Sequence, residues 1–372
     1  MIELHQWRIA RLQNILRESG ADAFIGSTAD TFQYITGSYV MTQKLIPERL
    51  EFAVVPAEGD PWLVIANMEE TQIKNESQVT DYQVYTELAQ SPASVLADTL
   101  SDKGLSAATV AMELATLPTN TYTELSSSLP EMTITDGKAI RSRAAQIKHP
   151  DELAAIEHAA RATITAIEDA FMSASIGDTE RNVGTRITTS LDAAGLEEQF
   201  KVLASGARTV MAHPTARDDV RIASGDLMRF DGGGIYKGYF SDVARTAIVG
   251  DNAAAERLYE QLFAIHEKVI SLCTVGSSTR EVFDEYARLF KQAGLPFDGR
   301  LIGHSIGIEL HELPIISRDS DTVIEENMVF CIEPRFTLNG QRMHLEDTIV
   351  VTGSGPRLLS TDALPSTPIR IR

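Results

Sequence analysis

The chain has 372 residues, 43% of them hydrophobic, a formal net charge of −19 and two cysteines. That is enough apolar material for about two to three soluble domains, and the acidic balance, with no run of basic residues, argues against nucleic-acid or anionic-membrane binding. MIELHQWRIA at the start lacks a basic segment followed by an apolar run, no apolar stretch is long enough to span a bilayer, and Cys273 and Cys331 sit in unrelated contexts, so a cytoplasmic protein without a membrane segment or a disulfide framework is expected.

Residues 1–140 alternate short apolar runs with helical periodicity. Strands are expected at 21–25, 32–36, 50–55, 62–65 and 109–112, and helices at 3–19 and 92–101, which is an α/β pattern. This region holds one histidine, His5, and no catalytic constellation. GKAIRSRAAQIKHP, 137–150, is polar and ends in proline, and reads as a linker. The expected domains are therefore 1–140 and 141–372.

A long helix should follow. Pro150 and Asp151 open it, and Leu153, Ile156, Ala160, Ile164, Ile167 and Phe171 recur at helical spacing. The chain then repeats itself. Gly177, Thr179 and the helix end Ala194-Gly195-Leu196 recur 99 residues later as Gly276, Ser278 and Ala293-Gly294-Leu295. Ser278 with Glu281 forms a capping box. A β-rich segment bearing acids follows each helix. Two similar halves about a pseudo-twofold axis, with a site between them, account for this pattern.

FDGGGIYKGYFSDVART, 230–246, reads as a hairpin. A turn centred on Tyr236-Lys237 sets Asp231 opposite Asp242. CIEPRFTLNGQRMHLED, 331–347, carries Asn339-Gly340, a strong two-residue turn signal. Centred there, Glu333 faces Glu346. Like charges directly opposite destabilise a sheet. Either one acid of each pair is protonated, or divalent cations lie between them. Three histidines fall nearby: His213 in ASGARTVMAHPTARD, and His304 and His311 in LIGHSIGIELHELP. One imidazole added to four carboxylates makes a mixed N/O donor set suited to Mn²⁺, Fe²⁺, Co²⁺ or Zn²⁺. His5, His149, His158 and His266 read as ordinary core or surface residues.

These motifs resemble the pita-bread metallopeptidases: methionine aminopeptidase, aminopeptidase P, prolidase and the non-peptidase creatinase. The resemblance covers about 147–352, and more weakly the creatinase/prolidase N-terminal domain. FDGGGIYKGYFSDVART, GHSIGIELHELP, VFCIEP and LEDTIVVT carry it. It implies an α/β N-terminal domain and an α+β pita-bread C-terminal domain with an internal pseudo-twofold repeat. It also implies five metal ligands, Asp231, Asp242, His304, Glu333 and Glu346, for two divalent ions, manganese foremost and cobalt, iron or zinc otherwise. Asp242 and Glu346 would bridge the ions. Asp231 would hold one of them, and His304 with Glu333 the other. Glu333 would shuttle a proton, while His213 and His311 would contact substrate. The implied reaction is hydrolysis of the amide bond of Xaa-Pro dipeptides or short peptides, in a homodimer.

The chain departs from the family pattern at Arg300, Ser305, Arg335 and His344. The family there usually carries histidine, glycine, glycine and arginine respectively. Arg300 and Arg335 are candidates to bind a substrate carboxylate, and His344 joins them as a substrate-shell residue. An altered shell also admits other outcomes. One is a relative turned to a small molecule, as an ectoine-type hydrolase, a creatinase-like C–N hydrolase or a sulfonium lyase. Another is a catalytically silent relative that binds peptides or partner proteins.

Overall fold

The computed structural model describes residues 2–46, 48–297 and 299–372. The chain divides into two compact units, Met1–Ala145 and Gln146–Arg372.

The first unit runs α1 (Ile2–Ser19), β1 (Ala23–Gly26), α2 (Ala29–Thr36), α3 (Met41–Leu45), β2 (Phe52–Pro56), β3 (Trp62–Ala66), α4 (Glu70–Glu76), β4 (Tyr82–Tyr85), α5 (Pro92–Asp102), β5 (Thr109–Met112), α6 (Thr119–Ser128), β6 (Thr133–Asp136) and α7 (Lys138–Ala145). Its six strands form one mixed sheet in the order β4-β3-β2-β1-β5-β6. Phe24, Ile25, Phe52, Val54, Val64, Val110 and Met112 are fully buried in it.

Two expectations differ here. The segment 32–36, expected as a strand, lies in helix α2. Its aromatic and β-branched residues favour a strand, but Thr28 caps the helix by accepting from the Thr31 N–H, and Gly37 closes it at φ 81°. The polar stretch expected as a linker contains helix α7, whose Ile140, Ala144 and Ala145 are buried.

The second unit runs α8 (Pro150–Met172), α9 (Glu180–Ala193), β7 (Glu197–Ser205), a 3₁₀ turn (Gly206–Val210), β8 (Leu227–Tyr236), β9 (Tyr239–Phe240), β10 (Val243–Val249), α10 (Ala253–Leu272) and α11 (Thr279–Ala293). It continues through β11 (Leu301–Ser305), β12 (Glu312–Ser317), β13 (Val329–Ile332), β14 (Arg335–Leu338), β15 (Gln341–His344), β16 (Asp347–Thr352), β17 (Gly355–Leu358) and β18 (Arg370–Ile371). The stripe Ile156, Ala160, Ile164, Ile167 and Phe171 on α8 is buried, as its spacing requires.

The internal repeat is visible in the architecture. Thr179 and Ser278 cap α9 and α11 with the same reciprocal box. Gly177 donates to the Ile222 carbonyl and Gly276 to that of Ile324, each at 2.9 Å. Each helix pair lies over its own sheet, β18-β10-β8-β7 in one half and β12-β11-β13-β16-β17 in the other. Each half also has its own apolar core. The halves meet where Ala244 and Glu346 exchange backbone hydrogen bonds of 3.3 and 3.0 Å.

Candidate metal centre

Strand β8 carries Asp231 in the run LMRFDGGGIY. Its turn is Lys237-Gly238, with φ 50° and 82°, the left-handed pair that a type I′ turn requires. This lies one position beyond the turn expected from sequence. Asp231 therefore faces Ala244, not Asp242. Asp242 stands two residues before Ala244, diagonal to Asp231 across the ladder, which keeps the two acids on one face. Glycine is required beside them. A Cβ on Gly233 would lie 1.8 Å from the Ser241 carbonyl oxygen.

In the other half, Asn339 and Gly340 take φ 53° and 75°, and the hairpin pairs Arg335 with His344 and Leu338 with Gln341. The β13–β16 ladder continues the same register, with Ile332 opposite Asp347. Glu333 and Glu346 lie between these two ladders and face each other, as the asparagine-glycine turn predicts. Glu333 is held by its N–H to the Ile302 carbonyl at 2.9 Å, and Glu346 by Ala244.

His304 lies on β11, between β12 and β13, paired with Cys331. Its Nδ1 is 3.0 Å from the Ser305 carbonyl, a partner that assigns the proton to Nδ1. That leaves Nε2 bare, 3.6 Å from Asp242 Oδ2 and 4.0 Å from Glu346 Oε1. The ring stacks on His311 with centroids 3.8 Å apart. His311 is solvent-exposed, as is His213 in the segment after the 3₁₀ turn. Burial lowers the His311 pKa, with the charges of His304, Arg335 and His213 contributing to its surroundings.

Asp231, Asp242, Glu333, Glu346 and His304 thus converge, and their electrostatics are strained. Burial, reinforced by Asp242, pushes the Asp231 carboxyl up to about 7 despite the opposing Arg229. Burial also raises Glu333 and raises Glu346 well above the carboxylate range, with Asp242, Glu333 and Asp231 adding to the effect on Glu346. The His304 pKa is raised as well. Burial disfavours its cation, yet its contact with Asp242 leaves it raised. Asp242 Oδ1 and Glu346 Oε1 are buried without a hydrogen-bond partner, a state that costs about 1–3 kcal/mol for each group. Buried, unpartnered oxygens on mutually repelling acids fit a divalent cation, and the donor types suit one.

The three residues expected in the substrate shell are placed differently from one another. Arg300 is exposed, just before β11. Arg335 is half-buried and its Nη1 donates to Glu333 Oε2. His344 is fully enclosed among the acids. Its Nδ1 is 3.6 Å from Asp231 Oδ2, and its Nε2 is 3.8 Å from Glu333 Oε2 and 3.9 Å from Glu346 Oε2. Burial and the cations Arg335, Arg229 and Arg342 hold its pKa well below the usual histidine value.

Other supporting residues are not evident from the motifs. Arg229 is buried 3.9 Å from Asp231 and donates Nη2 to the carbonyls of Met211 and Ala212 at 3.1 and 3.0 Å. Behind Glu346, Asp347 accepts from Arg245 at 2.7 and 3.1 Å, from His266 at 2.9 Å and from Ser360 at 2.6 Å. His266, expected as an ordinary residue, is therefore part of the scaffold beneath a candidate ligand. Arg229 had a legible signal: two positions before Asp231 on a strand, it must share that face. The Arg245–Asp347–His266 contacts join residues some eighty to a hundred positions apart and have no local signature.

The sequence pattern of metallopeptidase family M24 matches residues 154–353. The chain belongs to metallopeptidase family M24. A creatinase/prolidase N-terminal domain matches residues 8–144. Membership of M24 implies divalent metal ions. The chain is 31% identical over 221 residues to the Xaa-Pro dipeptidase of Pyrococcus furiosus, covering 58% of this chain and 63% of that relative. It is 28% identical over 354 residues to the Xaa-Pro dipeptidase of Lactobacillus helveticus, covering 93% and 94%. The crystal structure of dipeptidase PepE from Mycobacterium ulcerans superposes with a TM-score of 0.87 at 24% identity, covering 100% of this chain and 98% of that one. Among the described residues no helix is long and apolar enough to cross a membrane.

Proposed function

We propose that this M24 protein is a dinuclear metal-dependent hydrolase that cleaves the amide bond of Xaa-Pro dipeptides or short peptides. The observation that carries the reading is the convergence of four carboxylates and a bare imidazole nitrogen on one buried point. Asp242 and Glu346 would span two ions, Asp231 would hold one, and His304 and Glu333 the other. Two divalent cations, with manganese the first choice, would supply Lewis-acid activation of water and of the amide carbonyl.

The chain's own residues supply the rest. Glu333 takes the proton from the attacking water and delivers it to the leaving nitrogen. Burial raises its pKa, the direction that favours holding the proton it takes up. His311 and His213 donate to the developing oxyanion and to the departing amine. His304, fixed by the Ser305 carbonyl, keeps its bare nitrogen turned inward. Arg300, exposed four residues before His304, meets the substrate carboxylate. Arg335 acts on Glu333, the group it contacts.

The names of the relatives support the peptide class. The test is proline release from Ala-Pro and Met-Pro by protein stripped with a chelator and reloaded with Mn²⁺, with longer X-Pro-Y peptides and ectoine beside them. Chelator-sensitive proline release is the expected result. Ectoine turnover with no peptide cleavage would replace this reading with that of a small-molecule hydrolase.

A further inference from the structure

We propose that His344 is a sixth metal ligand, giving one ring nitrogen to the ion held by Asp231. The inference rests on the dinuclear reading above and goes beyond its five donors.

His344 ends β15 with its backbone fixed at both polar atoms. Its N–H donates to Thr246 Oγ1 and its carbonyl accepts from the same hydroxyl, both at 2.9 Å. That clamp commits the side chain to the interior, where it is 1% exposed. Neither ring nitrogen makes a hydrogen bond. An imidazole carries a donor or an acceptor at each nitrogen, so burying both unpartnered is costly.

The surrounding distances explain the lack of partners. Asp231 Oδ2, Glu333 Oε2 and Glu346 Oε2 lie 3.6, 3.8 and 3.9 Å from the ring nitrogens. Those gaps are too long for hydrogen bonds. The gap from Nδ1 to Asp231 Oδ2 matches the spacing of two donors that share one ion, since ligands at about 2.0–2.2 Å from a cation stand roughly 3–4 Å apart, while the two glutamates face Nε2. Asp231, His344 and Glu346 each offer an atom within a 4.8 Å group, as do His304, Cys331 and Glu346. Imidazole nitrogen therefore flanks Glu346 on both sides.

The consequence is chemical. Without His344, the Asp231 position is all oxygen, a set that suits Mn²⁺ or Mg²⁺. With it, both positions become mixed N/O sites and shift toward Zn²⁺, Co²⁺ or Fe²⁺. Arg229 lies beside Asp231 and offsets part of the acidic charge there, so a neutral donor at His344 does not leave that side short of positive charge.

The test uses whole protein loaded with Co²⁺ and labelled with ¹⁵N-histidine. Each coordinated imidazole then shows one solvent-exchangeable N–H proton, strongly shifted by the paramagnetic ion. Two such signals are expected, one of them lost in His344→Gln, with cobalt content falling from two ions per chain toward one. A single shifted signal in the unaltered protein overturns the proposal and leaves the dinuclear reading standing, and that observation does not depend on the variant folding. Two signals that both survive in His344→Gln assign the second imidazole elsewhere and also overturn it. No shifted signal at all removes both readings.

Discussion

The guanidinium of Arg335 donates to the carboxylate of Glu333, two residues away, while Arg335 itself faces His344 across the β14–β15 ladder. A cation thus sits against the acid assigned to proton transfer. The sequence reading offered a different task for Arg335, the binding of a substrate carboxylate. The two tasks separate in Arg335→Ala. Loss of a nearby opposite charge should move the acidic limb of the kcat/KM profile up by about one unit. A raised KM with an unmoved limb would return Arg335 to the substrate.

Glu346→Gln removes a charge that its neighbours oppose. Metal affinity should fall by more than about a hundredfold, and peptide hydrolysis with it. The metal-free variant should nevertheless be more stable than the metal-free parent, by about 1 kcal/mol or more, because folding no longer has to bury that carboxylate beside its neighbours or protonate it. Metal analysis and urea melts in chelator check both halves. Full activity with normal metal content would remove Glu346 from the centre.

Stability of the stripped protein should depend on pH with a definite sign. Asp231 has an ordinary value of 3.8 and is raised to about 7 in the fold. Between these values the folded state holds a proton that the unfolded state has released. The Asp231 contribution is therefore full below about pH 4, falls as pH rises toward 7, and is lost above. Cations compete with that proton, so metal-induced stabilisation should grow over the same window. Thermal melts at pH 5 and 7.5, with and without Mn²⁺, read out both slopes.

Asp347→Asn tests the scaffold behind Glu346. Burial pushes the Asp347 carboxyl up, but Arg245 and His266 hold it well below the usual range. Neutralising it strands the buried guanidinium of Arg245, a loss of about 3–5 kcal/mol. A urea midpoint unchanged from the parent would refute this account.

Much of this centre could be read in the chain, and the misreadings have physical causes. Asn339-Gly340 fixed its hairpin register, because asparagine and glycine together accept two left-handed residues in a row. The other hairpin turned on Lys237-Gly238, one residue later than expected. Only the glycine there is an obvious left-handed residue, and lysine at φ 50° carries no signal in its name. The slip moved the partner of Asp231 to Ala244 but preserved the face, since strands alternate with period two. The candidate donors were legible because acids in apolar strands stand out. Their supports were not. Thr246 with His344, and Asp347 with Arg245 and His266, are contacts across the whole second unit. In the first unit, helix α2 hid behind strand-like residues until its two caps were seen.

The seam at Ala244 and Glu346 has a bearing on how the protein is made. Asp231 and Asp242 leave the ribosome about a hundred residues ahead of Glu333 and Glu346, and neither half alone holds the complete proposed donor set. An early-emerging first half carries its helices and every strand of its sheet but β18, yet it offers an incoming ion only two carboxylates. Capture must wait until the second half has been synthesised and has zipped onto the first. Metal supply therefore acts only once both halves have been made, and starvation for metal should accumulate folded apoprotein rather than unfolded product.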